Sequence, residues 1–76
     1  MYIQVHTVSG RKHNIDVEPN MTIGAIKEEL QQREGISVPQ QRLLFRGQNL
    51  HDQTTIDDAR VVEGNVLHMV LALRAG

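Results

Sequence analysis

A single amphipathic helix, set among segments with strand patterns, is the feature that most limits how this chain can fold. Ile23, Ile26 and Leu30 recur at i, i+3 and i+7, which predicts a helix with one narrow apolar stripe. Thr22 is a suitable N-cap and Gly35 a suitable left-handed residue at the end of the helix. Such a helix covers one face of a sheet only, and a chain of 76 residues has room for one core.

The rest of the chain is dominated by strand patterns. The runs that predict strands are residues 1–7, 12–17, 40–45 and 65–71, together with a short stub that ends at Leu50. The first two runs form a hairpin, because they alternate apolar and polar side chains on either side of a turn. Thr55 to Asp58 predicts the start of a helix that is about one turn long. The fold class is therefore α+β, with four or five strands and one main helix on one face.

Apolar residues on both faces of the predicted sheet indicate a binding surface. Leu43, Leu44 and Phe45 are consecutive, and Met69 is followed by Val70. Side chains of successive strand residues point to opposite faces, so some of these must lie on the face that the helix does not cover. Apolar residues grouped on an uncovered face are typical of a site for another protein.

The composition argues against several other function classes. The chain lacks cysteine, and neither Ser9 nor Ser37 lies in a Gly-x-Ser-x-Gly motif, so we expect no enzyme activity and no cofactor. Eight basic and nine acidic residues are scattered without a positive stripe, which disfavours nucleic-acid binding. No run of apolar residues is long enough to span a membrane. The absence of cysteine suits a reducing compartment, and we expect the cytoplasm and nucleus.

The histidines do not form a recognisable metal motif. The four residues are His6, His13, His51 and His68. None of them has the His-x-x-x-His spacing of a zinc site, and there are no cysteine partners, so we predict no metal site. If the first and last strands are neighbours, His6 and His68 lie close enough to bind zinc weakly. His13 falls on the inward side of its strand, where we expect a hydrogen-bonded or edge position.

Several short segments closely resemble ubiquitin, without gaps, along all 76 residues. They are Gly35-Ile36, Gln40-Gln41-Arg42-Leu43, Leu67-His68-Met69-Val70 and Leu71-Ala72-Leu73-Arg74. The resemblance implies a β-grasp fold with a mixed sheet in residues 1–71 and a flexible tail in residues 72–76. Within the ubiquitin-like modifiers, the chain looks most like the Rub/Nedd branch, which has alanine where ubiquitin has an arginine at the position of Ala72.

The resemblance also implies how the protein works. In this family an activating enzyme adenylates the C-terminal carboxylate, here that of Gly76, and passes it through thioesters to a lysine of a target protein. The expected partners are activating, conjugating and ligase enzymes, deconjugating proteases, and targets such as cullins. We expect a monomer with a slim tail of Ala72, Leu73, Arg74 and Ala75 before Gly76. Ala72 is expected to select the activating enzyme, because an arginine there clashes with the wrong one.

Two recognition surfaces follow from the same resemblance. The main surface is expected at Val8, Leu44, His68 and Val70. The second is expected at Ile36, Leu71 and Leu73.

The lysines and the C-terminal residues help to distinguish a single-copy modifier from ubiquitin and from a binding module that is not conjugated. Lys12 and Lys27 are the two possible acceptors for a further modifier. In the family the position of Lys27 is largely buried and paired with an acid at the position of Asp52. The positions that carry the other chain-forming lysines in ubiquitin are occupied here by His6, Arg11, Glu29, Arg33, Gln48 and Glu63. A modifier attached in single copies is therefore the leading interpretation. Divergent ubiquitin is one alternative, which Ala72 opposes. A ubiquitin-like binding module that is not conjugated is another, supported by Ala75 where the family has glycine.

Overall fold

A computed structural model of the protein describes residues 1–72. It contains five strands, one α-helix and one short 3-10 turn. The strands are β1 (Tyr2–Thr7), β2 (Lys12–Asp16), β3 (Gln41–Phe45), β4 (Gln48–Asn49) and β5 (Val66–Leu71). The helix is α1 (Ile23–Glu34), and the 3-10 turn spans Val38–Gln40.

The strands form one mixed sheet in the order β2-β1-β5-β3-β4. β1 and β2 pair as the predicted antiparallel hairpin, and β3 is antiparallel to both β4 and β5. β1 and β5 run parallel to each other, so the two ends of the domain meet at the centre of the sheet. This arrangement confirms the predicted α+β class and gives the sheet five strands.

The helix begins and ends where its caps predict. The Thr22 side chain accepts a hydrogen bond from the Ala25 N–H at 3.1 Å, which satisfies one free donor of the first turn. Gly35 adopts φ 75°, and its N–H donates to the Gln31 carbonyl at 2.8 Å. Glycine reaches this left-handed conformation without the steric cost that a side chain imposes, so α1 can end here without strain.

The core lies between α1 and one face of the sheet. The apolar stripe of α1 is fully buried against alternate residues of the strands. The buried apolar side chains are Ile3, Val5, Ile15, Val17, Ile23, Ile26, Leu30, Leu43, Phe45, Ile56, Val61, Leu67 and Met69. Because strand side chains alternate, the residues between these inward positions face away from the helix.

A buried glutamine connects the sheet to the helix and to the loop that follows it. Gln41 takes an inward position of β3, and its Nε2 donates to the carbonyls of Lys27 and Ile36, each at 2.9 Å. Lys27 lies in the middle of α1 and Ile36 lies just beyond its C-cap, so the two bonds tie both segments to β3 and give the buried amide nitrogen its partners. Gln41 therefore fixes where the chain turns from the helix into β3.

The predicted short second helix and several predicted strand ends differ from the structure. The Asp58 N–H is capped by the Thr55 hydroxyl as expected, but residues 56–60 form a turn and not a helix, and Thr55 itself forms an isolated bridge with Thr22. Arg60 adopts φ 60°, which is incompatible with a right-handed helix, so the turn cannot extend. β3 begins one residue later than predicted, because the Gln40 N–H closes the 3-10 turn onto the Ser37 carbonyl. β1 and β5 also begin one residue later, and β2 and β4 end one residue earlier, than predicted.

Candidate recognition surface

Strand pairing sets a row of side chains across the face of the sheet that α1 does not cover. His6 on β1 pairs with His68 on β5, and His68 pairs in turn with Leu44 on β3. The adjacent residues Val5 and Leu67 are buried in the core. The side chains of His6, His68 and Leu44 therefore point away from the core, to the face of the sheet that we call the outer face.

All four residues predicted for the main surface lie on or beside the outer face. Val70 pairs with Arg42 one step further along the strands, next to the row of His68 and Leu44. Val8 follows directly after Thr7, the last β1 residue paired with β5. Val8 is 71% exposed, His68 is exposed, and Leu44 and Val70 are half-buried. Strand pairing thus groups Leu44, His68 and Val70 on this face, with Val8 in the turn at the end of β1. We call these four solvent-accessible side chains the outer patch.

Sequence reasoning missed one polar neighbour of the outer patch and foresaw another only conditionally. Arg42 is exposed and pairs with Val70, and His6 pairs with His68. Arg42 does not stand out in the sequence, because only the pairing register shows that it lies beside the patch, whereas the His6–His68 pair was expected if the first and last strands were neighbours. Both side chains add hydrogen-bond donors at the edge of the apolar group, and the arginine adds positive charge.

The second predicted surface is described only in part. Leu71 is 46% exposed and pairs with Gln41 across the β3–β5 ladder. Ile36 is half-buried, packs against the core, and its carbonyl accepts from the Gln41 side chain. The two residues thus flank the same glutamine at one end of the sheet. Leu73 lies outside the described residues.

The predicted tail is described at its first residue only. The Ala72 N–H donates to the Gln40 carbonyl at 2.8 Å, so the chain stays held against the sheet after β5 ends. This bond presents Ala72 at the border between sheet and tail. The predictions for Leu73, Arg74, Ala75 and Gly76 lie outside the described residues.

The two lysines have very different surroundings. Lys12 is exposed on β2 and pairs with His6 at the margin of the outer face. The Lys27 side chain is 8% exposed, and its Nζ donates to Asp52 Oδ1 at 2.6 Å. A buried ammonium with one close acid partner is costly to separate from it. Lys27 is therefore a structural residue in the folded chain, whereas Lys12 is open to reagents and enzymes.

We expect this contrast to appear in chemical acylation. An amine-reactive ester should modify Lys12 of the folded protein at least about tenfold faster than Lys27, since reaction at Lys27 first requires loss of a charged hydrogen bond. Peptide mapping by mass spectrometry over time measures both rates, and the urea-unfolded chain, in which both lysines should react alike, is the control. Equal rates in the folded protein would contradict the structural role of Lys27.

A second polar cluster lies beside the helix end. His13 Nε2 contacts the Glu34 carboxylate, and Arg11 lies 3.8 Å from the same carboxylate. The His13 and Glu34 side chains are both largely buried, so this contact joins β2 to the last turn of α1. The hydrogen-bonded position expected for His13 is confirmed.

The described part of the chain shows little that suggests catalysis. Within residues 1–72, no group of three or more histidine, cysteine, aspartate or glutamate side chains converges in a way that could hold a metal ion. In the same range, no helix has the length and apolar character needed to cross a membrane. The most developed functional feature of residues 1–72 is the outer patch, whose chemistry suits binding.

Comparison with known proteins agrees with this structure. Residues 3–74 match the model of the ubiquitin family. The chain is 41% identical over 76 residues to NEDD8-like protein RUB1 of Saccharomyces cerevisiae, covering all of this chain and 99% of that protein. It is 42% identical to ubiquitin-like protein NEDD8 of Dictyostelium discoideum, with the same coverage. NEDD8-like protein RUB3 of Arabidopsis thaliana is 40% identical, covering all of this chain and 97% of that protein.

These matches confirm the resemblance to the Rub/Nedd branch. The mixed five-strand sheet with one main helix is the β-grasp fold expected from it. Similarity at about 40% identity extends over at least 97% of the length of these three relatives, so it is not limited to a shared motif. The chain therefore belongs to the ubiquitin family.

Proposed function

We propose that this protein is a Rub/Nedd-like modifier that is joined through the carboxylate of Gly76 to lysines of target proteins. The observation that carries the proposal is the full-length similarity, at about 40% identity, to proteins named NEDD8 and RUB. In this role the protein has no catalytic residues of its own. Activating, conjugating and ligase enzymes supply the chemistry, and deconjugating proteases reverse it.

The residue at position 72 supports this branch over ubiquitin. The Ala72 backbone is held directly after β5 by its bond to the Gln40 carbonyl, which gives the small side chain a defined starting point for contact with an activating enzyme. A small residue is accepted by an enzyme that excludes a long, charged one. We propose that Ala72 directs the chain to a Rub-type activating enzyme.

The outer patch is the proposed site for partners that recognise the folded domain. Half-buried aliphatic side chains beside an exposed histidine and arginine resemble the apolar centre and polar rim of protein interfaces. Leu44, His68 and Val70 lie on the interior strands β3 and β5, so these three side chains are presented with little conformational freedom, and Val8 follows in the turn after β1. Ile36, Leu71 and Leu73 are proposed as a second, smaller contact region.

The lysines support attachment in single copies. With Lys27 held by Asp52, Lys12 is the lysine open to a further modifier in the folded protein. At two positions where ubiquitin carries chain-forming lysines this chain has Arg11 and Arg33, and a guanidinium keeps the positive charge without offering an acyl-accepting amine, so chains through those positions cannot form. We propose a monomeric mono-modifier of the cytoplasm and nucleus, with cullin-type scaffold proteins as targets.

Reconstituted conjugation tests the proposal. The chain is incubated with ATP, Rub-type activating and conjugating enzymes, a matching ligase and a cullin. We expect one thiol-resistant adduct that adds about 8.6 kDa to the cullin. The variant that lacks Gly76 is the control and should give none. A cullin that remains unmodified while a known Rub protein is attached would favour the alternative, a binding module that Ala75 prevents from being conjugated.

Partner binding should depend on Leu44. In the Leu44→Ala variant we expect a Rub-type deconjugating protease, inactivated at its nucleophile, to bind about tenfold more weakly, because removal of a central apolar side chain costs about 1.4 kcal/mol or more. Calorimetric titration measures the affinity. The Val62→Ala variant, changed at an exposed apolar residue outside the patch, is the matched control. Equal weakening in both variants would argue against the patch as the binding site.

A further inference from the structure

We propose that His6 and His68 together form a binding site for a divalent transition metal, Zn²⁺ in the first instance, at the centre of the outer face. The two residues are direct partners in the parallel pairing of β1 with β5, and both side chains leave the sheet on the same side. Imidazole nitrogens are among the preferred ligands of zinc. This inference goes beyond the proposed function and does not depend on it.

The spacing of the two rings fits a shared metal ion. Their centroids lie 5.6 Å apart, with an angle of 87° between the ring planes. With metal to nitrogen distances of about 2.0 to 2.1 Å and a tetrahedral angle, two imidazoles on one zinc ion have centroids about 5 Å apart. His68 is exposed, so its ring has room to change rotamer and turn a nitrogen toward a shared ion.

A second feature prepares His6 as a ligand. Its Nε2 lies 2.9 Å from Gln4 Oε1, and since that oxygen can only accept, Nε2 carries the proton and donates it. The lone pair of the neutral ring then lies on Nδ1, where it is available to a metal. Metal-binding histidines commonly donate their other nitrogen to an oxygen in this way, which fixes the tautomer and the ring orientation.

The surroundings indicate a modest affinity. The two imidazoles supply two of four tetrahedral positions, and water completes the coordination. Lys12 pairs with His6 on its other side and brings a positive charge to the edge of the site. We therefore expect reversible binding, weaker than at structural sites with four protein ligands.

A metal ion bound at this site would lie where a partner protein contacts the outer patch. His68 belongs to the outer patch and pairs with Leu44, so a hydrated ion on this histidine would place charge and bound water beside the apolar side chains. A partner that covers the patch must displace that ion and its water. We expect zinc and a patch-binding protein to compete for the same face.

The test is a titration of the full chain with ZnCl₂ at neutral pH, followed by calorimetry and by the NMR signals of the histidine rings. We expect saturable binding at one site, with the His6 and His68 signals shifting together. His6→Asn and His68→Asn should each weaken binding at least about fivefold, because each removes one of two ligands. His51→Asn, changed at an exposed histidine outside the sheet, is the matched control and should bind like the parent chain.

The proposal fails if His6→Asn or His68→Asn weakens zinc binding less than fivefold, since a single imidazole would then account for the binding. It also fails if His51→Asn weakens binding as much as the other two, or if no saturable binding occurs below about 1 mM zinc, the limit of a weak specific site. Thermal unfolding of each variant without zinc shows that the fold is retained.

Discussion

The Leu43→Ala variant is expected to lose about 3 kcal/mol of unfolding free energy. Leu43 is 0% exposed and packs in the core beneath α1, so truncation removes apolar contacts and leaves a cavity. Small domains are stable by only about 5 to 15 kcal/mol, so this is a large fraction of the total. Urea denaturation measures the loss, and the melting temperature should fall by about 15 °C.

The neighbouring Leu44→Ala variant is the matched control, because it makes the same chemical change on the opposite face of β3. Leu44 is half-buried on the outer face, so we expect a loss of under about 1 kcal/mol. Similar losses in both variants would mean that Leu44 is a core residue. The assignment of β3 residues to an inner and an outer face would then be wrong.

The Ala72→Arg variant is expected to lose charging by a Rub-type activating enzyme at least about 100-fold, equivalent to about 2.7 kcal/mol. The Ala72 N–H bond to the Gln40 carbonyl involves the backbone only, so the arginine side chain should be carried to the same place at the base of the tail. If Ala72 selects the enzyme as proposed, the arginine overlaps or repels an enzyme surface that accepts a small residue, and repulsion of like charge costs several kcal/mol. The initial rate of thioester formation measures the effect.

Gln53→Arg serves as the charge-matched control for that experiment. It introduces the same side chain at an exposed position in the loop after β4, and should be charged as well as the parent chain. If both variants lose activity alike, the effect reflects net charge and not position 72. Full charging of Ala72→Arg would show that this residue does not select the enzyme.

Most of the helix and strand pattern could be predicted because the signals are local. The Thr22 cap, the apolar stripe of α1 and the left-handed Gly35 depend on residues within a few positions of one another. The short helix predicted after Thr55 was wrong because its end depends on the conformation of Arg60, which no local preference specifies. The role of Gln41 was also not predictable, since its two carbonyl partners lie 14 and 5 residues away in sequence.

The residues of the outer patch were predicted from the resemblance to a known family more than from the alternation of apolar and polar residues. The alternating pattern around Leu44 and Val70 indicated that apolar side chains lie on both faces of the sheet. It did not indicate which of them are neighbours on the outer face. The parallel register of β1 with β5 decides that, and it also brings His6 against His68. The sequence raised that pair only on the condition that the first and last strands are neighbours, and no pattern within either strand could establish it.

The central claim is that this chain is activated as a Rub/Nedd-like modifier, and a thioester assay tests it most directly. The parent chain is incubated with ATP and, separately, with a Rub-type and a ubiquitin-type activating enzyme, and each enzyme is examined for a thiol-sensitive mass increase of about 8.6 kDa. We predict that the Rub-type enzyme alone is charged. Charging of the ubiquitin-type enzyme alone, or of neither enzyme, would contradict the account.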